Sequence, residues 1–178
     1  HTLSYPRDAE ADTDPHGPIL FSDFDHLAGG EVTVTVDTDS WMVTGITACE
    51  AEVKLLAGGN LLIEEAIDLV VAADNDPDEG GSLYLDVEGN VTQTAPGTIT
   101  AEGLAMIVDG YTVLDLDNDV NTLAAEPDTD PNGPIKFNDI DQLAVGEVTV
   151  TVNTDSWTVT GITTSDADVK LIAGGNLV

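Results

Sequence analysis

The sequence predicts an all-β fold built from tandem repeats. Residues 12–62 recur at 128–178, an offset of 116 positions, with 37 of 51 residues identical. A long internal repeat is typical of an array in which each unit completes its core against its neighbours. Apolar residues make up 42% of the chain but aromatics only 4%, and Thr, Gly, Asp and Asn supply much of the remainder. That composition is typical of short strands and tight turns.

We interpret all 178 residues as a window of one continuous repeat array. The first copy covers residues 12–127 and the second, partial copy covers 128–178. Residues 1–3 align with 121–123 once four extra residues are allowed, so the sequence begins within a repeat. We therefore expect the chain to be a piece of a longer tandem protein.

The strand signals are short and closely spaced. GEVTVTV (30–36) alternates strictly, which places Val32, Val34 and Val36 on one face of a strand. Only IEEAI and TAEGLAMI hint at helix, and both are short and embedded in strand-like sequence. Further strands are predicted in WMVTGI, AEVKLLAGG, NLLIEEAIDLVVA, SLYLDVEGNVTQT, GTITAEGLAMIV and YTVLDL, separated by Gly-Asn, Gly-Gly, Pro-Gly and Asp-Gly turns. This spacing suits either a β-sandwich or a β-solenoid.

Three stretches carry a family resemblance: GNVTQT (89–94), GTITAEGL (97–104) and NDVNTLA (118–124). In this order they resemble the repeats of filamentous-haemagglutinin-type adhesins, the large exoproteins of bacterial two-partner secretion. The resemblance covers about residues 53–125 and extends more loosely through the second copy. It implies a right-handed parallel β-helix (a β-solenoid) built from tandem repeats, and a secreted or cell-surface protein. The alternative is a row of tandem Ig-like β-sandwich adhesin domains, because a period of 116 residues suits one such domain.

The charge balance separates this chain from that family. Its 34 acidic residues face 4 basic ones, a formal net charge of -30, and two proline-bearing inserts (74–81 and 126–134) are strongly acidic. Nucleic acid and anionic membrane surfaces are excluded as partners because they would be repelled. No run of 18 apolar residues predicts a membrane span. The single cysteine, Cys49, aligns with Ser165, so no internal disulfide is expected.

Clustered carboxylates predict calcium as the cofactor. DTDPNGPIKFND (128–139) has the spacing of an EF-hand loop, with oxygen ligands at positions 1, 3 and 5, Gly at 6 and a carboxylate at 12. Two readings compete with a calcium site: solvated surface charge, and a strand in IDQLAVGEV, where an EF-hand needs a helix. The candidate ligands are Asp128, Asp130, Asn132 and Asp139, their mates Asp12, Asp14 and Asp23, and the insert residues Asp74, Asp76 and Asp78, with a further cluster at Asp115, Asp117 and Asp119.

Trp41 and Trp157 occupy equivalent positions in the polar segment TDSW. We predict either core packing at a coil corner or an exposed aromatic that contacts a neighbouring filament or a sugar ring. His16 and His26 become Asn132 and Gln142 in the second copy, which argues against a repeated catalytic or transition-metal role.

The sequence does not predict an enzyme. Catalysis needs one preorganised site, whereas these features recur every 116 residues, and no nucleophile–histidine pairing or phosphate loop is present. We hypothesise a structural segment of a large secreted acidic fibrous adhesin or extracellular filament, stiffened or crosslinked by calcium. Its partners would be other copies of the filament or neighbouring repeats. The alternative is a carbohydrate- or receptor-binding module of a cell-surface adhesin.

Overall fold

A computed structural model describes residues 32–36, 41–47, 52–70, 80–126, 133–152 and 154–178. These residues form strands and turns without a helix, which confirms the all-β prediction, and they hold no helix able to cross a membrane. The strands are β1 Val32–Val36, β2 Trp41–Thr47, β3 Val53–Ala57, β4 Leu61–Asp68, β5 Ser82–Val87, β6 Val91–Gln93, β7 Ile99–Val108, β8 Thr112–Glu126, β9 Ile135–Asp139, β10 Ala144–Val145, β11 Glu147–Val152, β12 Asp155–Thr160 and β13 Val169–Ala173.

Parallel pairing dominates the described structure. An 11-stranded sheet runs in the order β1-β3-β5-β7-β4-β6-β8-β9-β13, with β2 and β10 attached to β4 and β8. Successive levels are in register, so Leu55 pairs with Leu85 and Leu85 pairs with Met106. Because parallel neighbours need a crossover connection, the chain must turn and come back to the same side between one level and the next.

The main core lies on one face of these paired strands and is mostly aliphatic. On β5, Leu83 and Leu85 are fully buried, and on β7 Leu104 and Met106 follow the same alternation. They belong to one cluster with apolar side chains of β4, β6, β8 and β9. IEEAI and TAEGLAMI, the two weak helical signals, lie in β4 and β7, where parallel neighbours on both sides supply the backbone hydrogen bonds.

Asn118 is a polar side chain buried inside this core, at an irregularity in the pairing of β8. Asn118 is 0% exposed, and its Oδ1 accepts hydrogen bonds from the Ile99 N–H (2.9 Å) and the Gln93 amide (2.7 Å). Its Nδ2 donates to carbonyls of its own strand and to the Asn138 carbonyl. The register between β8 and β9 shifts at this point. The Asn118 amide therefore satisfies backbone groups that the interrupted ladder leaves open.

The Gly-Asn turns stack on one another, in agreement with the turns that the sequence predicts. The Asn60 Oδ1 accepts from the Asn90 N–H (2.8 Å), and the Asn90 Oδ1 accepts from the Tyr111 N–H (2.9 Å). A Cβ at Gly89 would lie 2.6 Å from the Gly59 carbonyl, closer than any side chain tolerates. Glycine is therefore required for one turn to lie on the next.

The VTVTV segments of the two copies pair differently. In the second copy, β11 and β12 form a separate antiparallel pair, and Val148 and Val150 are buried while Thr149 is exposed, as the alternation predicts. In the first copy, β1 pairs in parallel with β3, and β2 in parallel with β4. Near-identical sequence therefore pairs in two ways in the described structure.

We expect Asn118→Ala to lower the free energy of unfolding by about 2–4 kcal/mol, because it leaves the buried Ile99 N–H and Gln93 amide without that partner. Asn176→Ala is the matched control, since Asn176 is exposed and its amide makes one long contact of 3.4 Å with Gln142. Urea denaturation measures both variants. Equal losses would contradict the role assigned to Asn118.

Candidate functional site: a hairpin on the outer face of the parallel sheet

The antiparallel hairpin of β11 and β12 leaves the parallel sheet and returns to it at the same place. Val145 pairs with Leu123 of β8, and Ile162 bridges to Ala125 two residues further along the same strand. Between these points the Gly161 N–H donates to the Gly146 carbonyl at 2.7 Å, closing the base of the hairpin. Residues 147–160 are thus an insertion in an otherwise continuous level of the sheet.

This hairpin covers the outer face of β5, β7 and β8. Tyr84, Ala105 and Ala124 are in register with one another, and each lies between two core residues, so their side chains point away from the main core. They form a second buried cluster with hairpin side chains, and the two alanines leave room for the hairpin to approach closely. The hairpin members are Val148, Val150, Val152 and Val159, with Trp157 and Ile107 packed against them.

Lys54 of β3 lies beneath the hairpin, next to two aromatic rings. It pairs in register with Tyr84 and is only 6% exposed. Its Nζ lies 3.5 Å from the centroid of the Trp157 ring and 5.0 Å from that of Tyr84, and the two rings are 5.9 Å apart. This arrangement is a cation–π contact in a covered site. We call Lys54, Tyr84 and Trp157 the lysine clasp.

Burial under the hairpin disfavours the charged form of Lys54. Desolvation lowers the pKa of its amine, while the carboxylates of Asp86 and Asp155 oppose that shift. Asp155 belongs to β12, so the hairpin brings both a ring and a negative charge to the lysine. The chain has 34 acidic and 4 basic residues, so few positions can offer a cation to the ring and the carboxylate of the hairpin.

Glu52 is the second ionisable group covered by the hairpin. The backbone N–H groups of Ser82 and Thr151 donate to its carboxylate, yet Oε2 is buried without a hydrogen-bond partner. Burial raises the pKa of Glu52 from its ordinary value near 4.5 to about 7, and the charge of Glu102 adds to the rise. The contact with Thr151 therefore links the protonation of Glu52 to the position of β11.

Trp157 lies on the hairpin, in strand β12. It is half-buried, and Lys54 covers one face of its ring. Trp41, its repeat mate, is in β2, where its backbone pairs with Leu61, and its side chain lies outside the described residues. Sequence reasoning missed Lys54, Tyr84 and Glu52. A lone lysine inside the apolar strand VKLLA was the available signal for the first of them.

Of the calcium ligands predicted in the two EF-hand-like loops and in the insert, Asp139 alone falls within the described residues. It is 2% exposed; its Oδ2 accepts from the Val120 N–H (2.9 Å) and its Oδ1 from the Asp141 N–H (3.1 Å). Burial raises the pKa of Asp139 to about 6. Both oxygens thus hold backbone groups in place. Outside the described residues lie Asp12, Asp14, Asp23, Asp74, Asp76, Asp78, Asp128, Asp130 and Asn132.

An EF-hand needs a helix after its loop, and the part of the chain described from 133 to 152 does not supply one. PIKFND (134–139) contains strand β9, and the short strand β10 follows at Ala144–Val145. The strand reading of this segment is therefore confirmed. The prediction that calcium binds the acidic inserts is independent of that motif and stays a prediction.

The other acidic cluster lies along β8. Asp115 forms an ion pair with Lys136 at 2.6 Å, and the hydrogen bond from this lysine lowers the pKa of Asp115. Burial raises the pKa of Asp119, with the charges of Asp141 and Asp68 adding to the rise. Within the described ranges, no group of three or more His, Cys, Asp or Glu side chains is placed to hold a metal ion.

Comparison with known proteins adds no assignment: the chain matches no family model, no curated protein and no solved structure.

We expect Glu52→Gln to change how stability depends on pH. Because the pKa of Glu52 is raised on folding, its stabilising contribution is complete below pH 4.5 and is lost as the pH rises through about 7. The variant should therefore match the parent near pH 4.5 and exceed its unfolding free energy at pH 8 by about 1–2 kcal/mol, a figure reduced for solvent screening. Denaturant titrations at the two pH values make the measurement. Glu88→Gln, at an exposed glutamate, is the control, and an identical profile for both variants would contradict the assignment.

Proposed function

We propose that the chain is a structural segment of a right-handed parallel β-helix, a β-solenoid, whose stacked repeats form an acidic filament or fibrous adhesin outside the cell. The observation that carries this proposal is the parallel register in which Leu55, Leu85 and Met106 occupy successive levels. Ig-like sandwiches, the alternative fold, are built from antiparallel sheets. Right-handed crossovers are the rule for parallel connections, which supports the handedness.

The stacked turns support the same architecture from another direction. Asn60, Asn90 and the Tyr111 N–H form a hydrogen-bonded column that runs from level to level. Each level adds about 4.8 Å along such a column. With about 25 residues per level, a repeat of 116 residues adds about 20–25 Å of length. Stacking such repeats then makes a long particle, as a fibre or a projecting stalk requires.

The acidity suits a polymer that works in a cation-rich exterior. At a net charge of -30 the chain repels itself unless cations accumulate around it. Asp119, with Asp68 and Asp141 near it, shows that carboxylates from different levels come close enough to interact. We propose that calcium at the acidic inserts stiffens the filament or links neighbouring ones, because hard cations prefer clustered oxygen ligands. No catalytic role is proposed.

A carbohydrate- or receptor-binding module is the second candidate function, and the contacts of the Trp157 ring bear on it. Sugar rings stack on an open aromatic face, whereas Lys54 covers one face of Trp157 and the Tyr84 ring packs against it at a tilt of 40°. These contacts favour a structural role for Trp157. Loss of glycan binding in a Trp157→Ala variant would favour the module instead.

We expect the particle to lengthen in constant steps as repeats are added. Chains that carry one, two and three further in-phase copies of residues 63–178 should gain about 20–25 Å each at an unchanged cross-section. Small-angle X-ray scattering gives both quantities, and negative-stain images of the longest chain give its outline. Compact beads joined by flexible links would contradict the solenoid.

We expect calcium to stabilise the chain and chelation to reverse the effect. Millimolar calcium should raise the unfolding temperature by a few degrees, corresponding to roughly 1 kcal/mol, and EDTA should remove the gain. Sodium chloride at matched ionic strength is the control for simple screening. Equal shifts with both salts would mean that charge screening accounts for the whole effect, and would contradict specific calcium binding.

A further inference from the structure

The lysine clasp joins two copies of the repeat. Trp157 belongs to the second copy, which starts at residue 128, while Lys54 and Tyr84 belong to the first. The hairpin therefore crosses from its own level over β8, β7 and β5 to reach β3. Its valines bury outer-face side chains of the earlier copy along this path. The contact is thus made between repeat units, on a surface that the parallel ladder itself leaves open.

Each member of the Trp–Lys pair has a repeat mate on this chain. Lys170 stands 116 positions after Lys54, in the same sequence Val-Lys-Leu. Lys54 is 6% exposed beneath Trp157, whereas Lys170 on β13 is exposed. Within the described residues, no hairpin covers β13. The two lysines therefore show the same strand sequence with and without the cover.

The hairpin sequence also occurs twice. Residues 31–44 match residues 147–160 at 12 of 14 positions, but β1 and β2 pair in parallel with β3 and β4. The same segment thus pairs in two ways on this chain: as a hairpin over β5, β7 and β8, and in parallel with β3 and β4.

We infer that the hairpin is a repeat-to-repeat clasp, and that the face around Lys170 is the binding surface for the Trp hairpin of another unit of this repeat. The inference rests on the proposed array. It names the partner as the same sequence, EVTVTV-x-TDSW, carried by the following unit. In that partner the indole would cover the Lys170 amine as Trp157 covers Lys54.

Charge complementarity selects this partner. Lys170 is one of only 4 basic residues in a chain of net charge -30. The hairpin carries Asp155 close enough to Lys54 to act on its charge, and its valines supply an apolar face for the outer surface. A ring, a carboxylate and an apolar strand together recognise a lysine on an outward-facing strand, and few other surfaces of this acidic protein offer one.

Amine acylation tests the clasp on the full chain, because its three lysines differ in cover. A short pulse of an acetylating reagent followed by peptide mass spectrometry gives a separate rate for Lys54, Lys136 and Lys170. We expect Lys54 to react at least about tenfold more slowly than Lys170, since the hairpin must open first. Burial lowers the pKa of Lys54, which alone would speed its reaction, so a slow rate reports cover. Equal rates for the two lysines would overturn the clasp.

Three further chains test whether the Trp157 indole and the following repeat provide the cover. Trp157→Ala should bring the Lys54 rate towards that of Lys170, while the matched Trp41→Ala should leave all three rates unchanged. A chain with residues 63–178 appended once after Val178 should slow Lys170 to the rate of Lys54. If Lys170 stays fast there, the repeat-to-repeat clasp is overturned, whereas the proposed array is judged separately by particle length. The comparisons in the parent and extended chains stand even if Trp157→Ala fails to fold.

Discussion

The whole described structure depends on parallel strands that repeat in register from one level to the next. This constraint fixes where every side chain points, because residues at equal positions on successive strands share a face. Leu55, Leu85 and Met106 therefore meet in the core, and Tyr84, Ala105 and Ala124 meet on the outside. One register produces both the aliphatic interior and the outer face on which the hairpin lies.

Polar groups inside such a stack must be satisfied by the stack itself. Asn118 does this at the irregularity in β8, where the ladder is interrupted, and Asp139 does it by accepting two backbone N–H groups. The asparagines of the turns continue the same pattern at the surface. Asp139, a candidate ligand in the sequence, therefore serves as a partner of the backbone, whereas Asp115 of the cluster on β8 forms an ion pair with Lys136.

Much of the fold could be predicted from the sequence, because strand alternation and Gly-Asn turns are local signals. The repeat also indicated that near-identical segments recur, although it could not show that VTVTV pairs in two ways. Pairing partners are decided by which surface is within reach, and that is a tertiary property. Lys54 was missed for the same reason: its role depends on a tryptophan about a hundred residues later in the chain. The calcium ligands of the two loops were chosen by their spacing and those of the insert by clustering, and Asp139 shows that a carboxylate at such a position can cap backbone N–H groups.

The closure between Gly146 and Gly161 has a consequence for how such a protein can vary. A 2.7 Å hydrogen bond joins Gly146 and Gly161, the two ends of the insertion. The chain therefore leaves β8 and returns to it at the same place, and the parallel pairing does not depend on the residues between these ends. Segments of other lengths or sequences could be exchanged at this point without disturbing the aliphatic interior. The parallel sheet could in this way carry different appendages at this point of β8.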